Sequence, residues 1–207
     1  MTPEAWVALA TVFTLGAMSP GPSLAVVLRN TMVGGRRQGV LCGIGHGIGF
    51  GIYAFLAAAG IATALTLHES TETILKWGGI FLLLFLGVKF LKASMGEPYE
   101  SSNEDSHGPS GRAGFAQGFA ISLANPKIAA WILALYAPFI EADISTETLF
   151  GMGLLGMTID GTWYVTVATV LTRGDGVSKL RSQARRIDAA MSLLMFIFAG
   201  LLFSGYL

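Results

Sequence analysis

Two ionisable side chains fall inside apolar stretches of this 207-residue chain: Lys127, directly after Asn125-Pro126, and Asp160. A charge at the bilayer centre costs at least about 2.5–3.5 kcal/mol and faces a cavity or a partner. An aspartate there can carry a proton or hold an ammonium group. A lysine can hold substrate or tune the pKa of the aspartate. A static Lys127–Asp160 ion pair is the other reading, and the two overlap, because a pair broken by substrate would couple two fluxes.

The backbone offers a second chemistry. Ser19-Pro20-Gly21-Pro22 lies within the apolar run from Trp6 to Val33, although proline costs about 3 kcal/mol in a helix interior. Asn125-Pro126-Lys127 interrupts a later run in the same way. A proline frees carbonyls one turn earlier that lipid cannot satisfy, so such backbone lines a cavity or is buried in protein. Each break also opens a new helix N-terminus, with Ser19 and Asn125 suited to the N-cap and Pro20 and Pro126 to the first turn. Unpaired N–H groups at such an end favour an anion. Two of them entering from opposite sides would converge on one central site, for which a carboxylate is a natural ligand. A simple proline kink is the plainer explanation of either break alone; two breaks in matching positions weaken it.

Other candidates carry less. His46 shares a helical face with Cys42 and lies one turn from Phe50, and reads first as a satisfied interior histidine, with a secondary site role as the alternative. Trp163, Tyr164 and Tyr53 suit either a core or a substrate cavity. No second His or acid stands at ligand spacing from His46, so no metal is expected, and nothing calls for a cofactor. Cys42 is the single cysteine, which excludes an internal disulfide or thiol-redox pair. Thirteen basic and thirteen acidic residues give no net charge and no reason to expect nucleic acid as a partner.

The elements that must position these groups are membrane helices. The chain is 53% hydrophobic and 13% charged, about half the charged fraction of a soluble domain. Spans of about 20 apolar residues are expected at Glu4–Val33 (broken), Val40–Leu67, Thr73–Met95, Ala113–Ile140 (broken), Leu149–Thr172 and Ile187–Tyr206. The N-terminus carries Glu4 and no basic region, so the first span reads as a retained helix. Arg29, Arg36 and Arg37 flank the first loop, Lys89, Lys92 and Arg112 the third, and Arg173, Lys179, Arg181, Arg185 and Arg186 the fifth; the second and fourth loops are acidic. The positive-inside rule then puts loops one, three and five in the cytoplasm and both termini outside, which in a bacterial inner membrane is the periplasm. The polar, Gly-, Pro- and Ser-rich stretch 96–112 reads as a flexible cytoplasmic linker.

That linker separates residues 1–95 from 113–207, two three-helix halves. Each half opens with a proline-broken span. Gly45-His46-Gly47-Ile48-Gly49-Phe50-Gly51-Ile52-Tyr53 lies against Gly156-Met157-Thr158-Ile159-Asp160-Gly161-Thr162-Trp163-Tyr164, and Leu86-Gly87 against Ala199-Gly200. Three spans per half is odd, so the second half enters from the opposite side. The expected fold is an all-α integral membrane protein of six transmembrane helices in a 3+3 inverted repeat, with a substrate site near the midplane. Gly43, Gly47 and Gly51 form one small-residue face of the second span, Gly45 and Gly49 another; they are read as packing surfaces, within the chain or in a homodimer.

Ser19-Pro20-Gly21-Pro22, Arg29-Asn30, Gly35-Arg36-Arg37-Gln38-Gly39, Gly114-Phe115 to Gly118-Phe119, Asn125-Pro126-Lys127 and Asp160 with Trp163-Tyr164 occur in that order. In this the sequence resembles the lysine exporter and threonine/homoserine efflux family (LysE/RhtB type) of bacterial amino-acid exporters, over the whole chain. The resemblance implies export of amino acids from the cytoplasm by proton antiport, and no enzymatic activity. It places functional weight on Pro20, Gly21, Pro22, Asn125, Pro126, Lys127 and Asp160. Many members carry an acid early in the second span, where this chain has Ile48 and Gly49, with His46 nearby. The substrate-binding set is therefore Ser19, Pro20, Gly21, Pro22, Asn125, Pro126, Lys127, Trp163 and Tyr164, with Asp160 as proton carrier or ammonium partner. The expected partners are an amino acid, most simply small and neutral, protons and membrane lipid. An inorganic cation exporter on the same scaffold, a non-transporting membrane scaffold and an intramembrane enzyme are the competitors. The first would want more carboxylates, thiols or imidazoles at depth, and the last a nucleophile–base set that is not found.

Overall fold

The computed structural model describes residues 1–19, 21–67, 70–96, 113–125, 143–172 and 176–205, with 128, 131, 132, 136, 139 and 140. Among these the chain forms six α-helices and no strand: α1 Pro3–Met18, α2 Pro22–Leu67, α3 Ser70–Met95, α4 Ala113–Ala124, α5 Thr146–Thr166 and α6 Gly176–Ser204. A five-residue π-helical turn, Val167–Leu171, continues α5. Apart from Gly96, the linker expected at 96–112 lies outside the described residues.

Local chemistry explains the helix ends. Thr2 caps α1 by accepting from the Ala5 N–H at 3.3 Å, with Pro3 in the first turn. Ser145 caps α5 by accepting from the Thr148 N–H at 3.2 Å. Hydrogen bonds from its own backbone N–H and from Ser145 hold the Glu147 carboxyl below the ordinary glutamate range. α1 stops at Met18 because Ser19 turns extended (φ −65°, ψ 121°) while its N–H still bonds the carbonyls of Leu15 and Gly16. α2 opens at Pro22, and its first bond runs from the Ala25 N–H to the Gly21 carbonyl at 3.2 Å. Gly21 thus holds the N-cap position that the sequence suggested for Ser19, and Pro22 the first-turn position.

The first loop differs from expectation. Residues 34–39 were expected to connect two spans, yet the helix runs through them with a single interruption at Gly35 (φ 76°, ψ 171°). The chain reverses there, because Thr31 lies against the Cα of Gly39, two residues that a straight helix would hold about 12 Å apart. This φ/ψ combination is open essentially to glycine alone. Gly35→Ala is expected to destabilise the protein by about 1–3 kcal/mol, read as a lowered thermal midpoint in detergent, even though no atom stands in the way of the new methyl group.

Among the described residues three helical segments are long and apolar enough to cross a membrane, Pro22–Leu65, Lys76–Met95 and Arg185–Ser204, against six spans expected over the whole chain. Of the other three expected spans, the fourth lies largely outside the described residues after Asn125. Pro3–Met18 and Ala113–Ala124 are apolar but short, and α5 carries Asp160 among threonines 158, 162 and 166.

α2 packs along α4 and α5, α3 along α6, and α1 against α5. The two glycine faces of α2 serve two different neighbours. Gly43, Gly47 and Gly51 meet the backbone of α5 at Tyr164–Val165, Gly161 and Gly153, while Gly45 and Gly49 meet α4 at Phe115 and Phe119–Ser122. The Ser192 hydroxyl donates to the Gly87 carbonyl at 2.9 Å, joining α6 to α3. A core of Phe13, Phe50, Trp131 and Tyr136, with Leu9, Val12 and Met152, sits beside the point where α1 gives way to α2.

Candidate functional site

That handover opens onto a cavity of about 40 Å³ walled by five elements. Gly16, Ala17, Ser19, Gly21 and Ser23 come from the α1–α2 junction, and His46 and Phe50 from the later part of α2. α3 gives Phe90, α5 gives Asp160 and Tyr164, and Asn125, Ile128 and Trp131 follow α4. The close glycine contacts place this site: Gly47 lies directly against Gly161, so the residues just before them, His46 and Asp160, face each other across the α2–α5 seam.

They do so as a bonded pair. His46 Nδ1 and Asp160 Oδ2 are 2.6 Å apart, a charge-assisted distance, with the residues 0% and 4% exposed. The sequence offered Lys127 as the partner of Asp160; Lys127, Pro20 and Pro126 lie outside the described residues. The Tyr164 ring packs edge-on to His46 at 4.5 Å between centroids. Its hydroxyl is a hydrogen-bonding neighbour of Ser23, and Ser23 Oγ accepts from Asn125 Nδ2 at 3.1 Å. One short polar chain therefore joins the start of α2, the end of α4 and α5. On the other side Ser19 Oγ donates to Asp188 Oδ1 of α6 at 3.1 Å.

Of the residues proposed from sequence, Ser19, Gly21, Asn125, His46, Asp160 and Tyr164 line the same cavity, and Pro22 adjoins it as the first residue of α2. Trp163 and Tyr53 are not among its lining residues: Trp163 packs on a satellite cluster around Val27, Leu28 and Val167, and Tyr53 on the main core. Sequence reasoning missed Ser23, Phe50, Phe90, Trp131 and Asp188. The aromatic residues carry no signal beyond being apolar. Asp188 was passed over because it is the second residue of the expected span Ile187–Tyr206, next to Arg185-Arg186, where a charge reads as belonging to the membrane surface.

The arrangement offers both signs of charge within one small space. The N-terminus of α2 brings unpaired N–H groups to Gly21–Ser23, and Asp160 brings a carboxylate. Two buried nitrogens of the lining, His46 Nε2 and Trp131 Nε1, have no hydrogen-bond partner among the described residues. Nor do three or more His, Cys, Asp or Glu gather anywhere among those residues; a metal would find two ligands here, His46 and Asp160.

The profile of one protein family, the LysE type translocators, matches residues 14–205, nearly the whole chain. The chain belongs to the LysE type translocator family. It is a transporter and not an enzyme. Among its curated relatives are the leucine efflux proteins of Salmonella choleraesuis and Salmonella typhimurium, each 28% identical over 187 residues, which cover 90% of this chain and 85% of the relative. The leucine efflux protein of Klebsiella pneumoniae is 24% identical over 182 residues, covering 87% and 84%. No solved structure matches the chain. In this translocator the cavity is a place where buried polar groups from α2, α5 and the end of α4 meet.

Proposed function

We propose that this translocator exports an apolar amino acid from the cytoplasm across the inner membrane in exchange for protons. The carrying observation is the cavity in which the α2 N-terminus, Asn125 and the Asp160 carboxylate converge. A zwitterion fits that charge pattern. Its carboxylate would lie at the N–H groups of Gly21–Ser23 beside Asn125, and its ammonium at Asp160. Phe50, Phe90, Ile128 and Trp131 supply an apolar wall for the side chain, in keeping with relatives named for leucine efflux.

The helix contacts support the inverted repeat. α2 packs on α5 and α3 on α6, second span on second and third on third; α4 against the second span has its counterpart in α1 against α5. Breaks at Pro20–Pro22 and Pro126 would then present two half-helix ends to one midplane site. The cavity volume of about 40 Å³ holds a few waters at about 10–15 Å³ each and no leucine. Loading such a substrate would require the cavity wall to give way.

The test is uptake of a labelled amino-acid panel into inside-out vesicles that are acid inside. Gradient-driven accumulation of leucine or a similar apolar amino acid is expected. Folded protein that accumulates no amino acid would discard this function in favour of inorganic cation export.

A further inference from the structure

We infer that His46 is the proton-carrying residue of this translocator, and that proton and substrate ammonium take turns in neutralising one buried His46–Asp160 pair. The inference rests on the export reading and names the device that couples the two fluxes. In the close Nδ1–Oδ2 bond one proton lies between the two atoms. With that proton on Nδ1 and Asp160 ionised, the pair carries one negative charge. It is enclosed by α2 and α5, with His46 wholly buried. A net charge in such a place has to be compensated.

The geometry allows two compensations. Nε2, the ring nitrogen that Asp160 does not hold, has no partner among the described residues, and His46 lines the cavity. It can take up a proton, giving imidazolium beside carboxylate with no net charge. Alternatively it can stay neutral and accept from a substrate ammonium that also lies against Asp160. The cycle balances as follows. A proton arriving from outside binds Nε2 and is released to the cytoplasm. An ammonium group of a cytoplasmic amino acid replaces it, and the amino acid leaves outward. One proton enters for each zwitterion exported, and one positive charge moves inward. The uncompensated pair does not cross, which prevents leak in either direction.

Among the described residues the other ionisable groups around His46 are few. Tyr164 packs on its ring from α5, Cys42 lies one turn earlier on α2, and Asp188 reaches the cavity edge through Ser19. Lys127 lies outside the described residues. None of Asp160, Tyr164 or Cys42 offers a second basic nitrogen.

The experiment compares wild type and His46→Gln in proteoliposomes with labelled leucine. Glutamine can still donate to Asp160 through its amide N–H and accept from the substrate ammonium through its carbonyl oxygen, but takes no proton at neutral pH. Net uptake, gradient-driven accumulation included, should be lost in the variant, because its unloaded pair cannot return, while counterflow exchange of leucine persists. In the wild type the KM for cytoplasmic-side leucine should rise as pH falls; in the variant it should stay flat. Undiminished accumulation by His46→Gln would overturn the proposal, as would loss of counterflow in a variant with wild-type thermal stability. Should the variant not fold, the wild type decides alone: an inward current of one charge per leucine on a supported membrane upholds the proposal, and electroneutral transport rejects it. A wild type that transports no amino acid at all would instead bring down the export reading, and this proposal with it.

Discussion

Asp160→Asn is expected to end gradient-driven accumulation of amino acid while leaving the protein folded. Asparagine has nearly the shape of aspartate, and its carbonyl oxygen can still accept from His46 Nδ1, so the 2.6 Å contact has a neutral substitute. What is lost is the charge. A hydrogen bond to a charged group contributes about 1.5–3 kcal/mol, so substrate ammonium should bind roughly 10- to 100-fold more weakly. The site would also have no negative charge for a proton to neutralise. Removing a buried charge relieves its desolvation cost, so the thermal midpoint should hold or rise. Uptake into inside-out vesicles, alongside a melting curve in detergent, reads both quantities. Transport surviving in Asp160→Asn would reduce Asp160 to a structural partner of His46.

The second large effect belongs to a residue that touches no ligand. A Cβ at Gly47 would stand 2.6 Å from the Cα of Gly161, 2.8 Å from its nitrogen and 2.9 Å from the Met157 carbonyl oxygen. All three are backbone atoms, so no rotamer change can make room, and Gly47→Val must push α2 and α5 apart. Overpacking of this kind typically costs about 1–3 kcal/mol. Here the seam also carries the His46–Asp160 bond one residue away on each helix. Stability and uptake should therefore fall together. Gly60→Ala, in the same helix but with open space around it, is the control, and should be neutral or stabilising by up to about 1 kcal/mol. If Gly47→Val melts and transports like wild type, the close approach of α2 and α5 does not set the site.

The two substitutions differ in how readable they were. Asp160 announces itself, because an acid inside an apolar run has few explanations. The glycines at 43, 47 and 51 announce a packing face but not its partner, since a small-residue stripe says only that some backbone comes near. His46 was underestimated because its meaning depends on what stands opposite: alone on a helix face, a histidine suggests core, whereas beside Asp160 it becomes half of an ionisable pair. The aromatic wall was invisible for the opposite reason. Phe50, Phe90 and Trp131 resemble the other apolar residues of their helices, and only the fold separates those that face the cavity.

Sequence by itself determined the class of this protein. Hydrophobic composition dictates a membrane helix fold, and the order of PGP, NPK and Asp160 with Trp163-Tyr164 resembles one exporter family, because these patterns follow from local physics that a single chain displays. Tertiary structure alone decided the rest. It made Gly35 a one-residue reversal in place of a loop, moved the N-cap from Ser19 to Gly21, brought Asp188 to Ser19, and gave Asp160 a histidine partner. Those outcomes depend on which helices lie side by side. His46 and Asp160 are 114 positions apart in the chain, and only the glycine seam between α2 and α5 makes them neighbours.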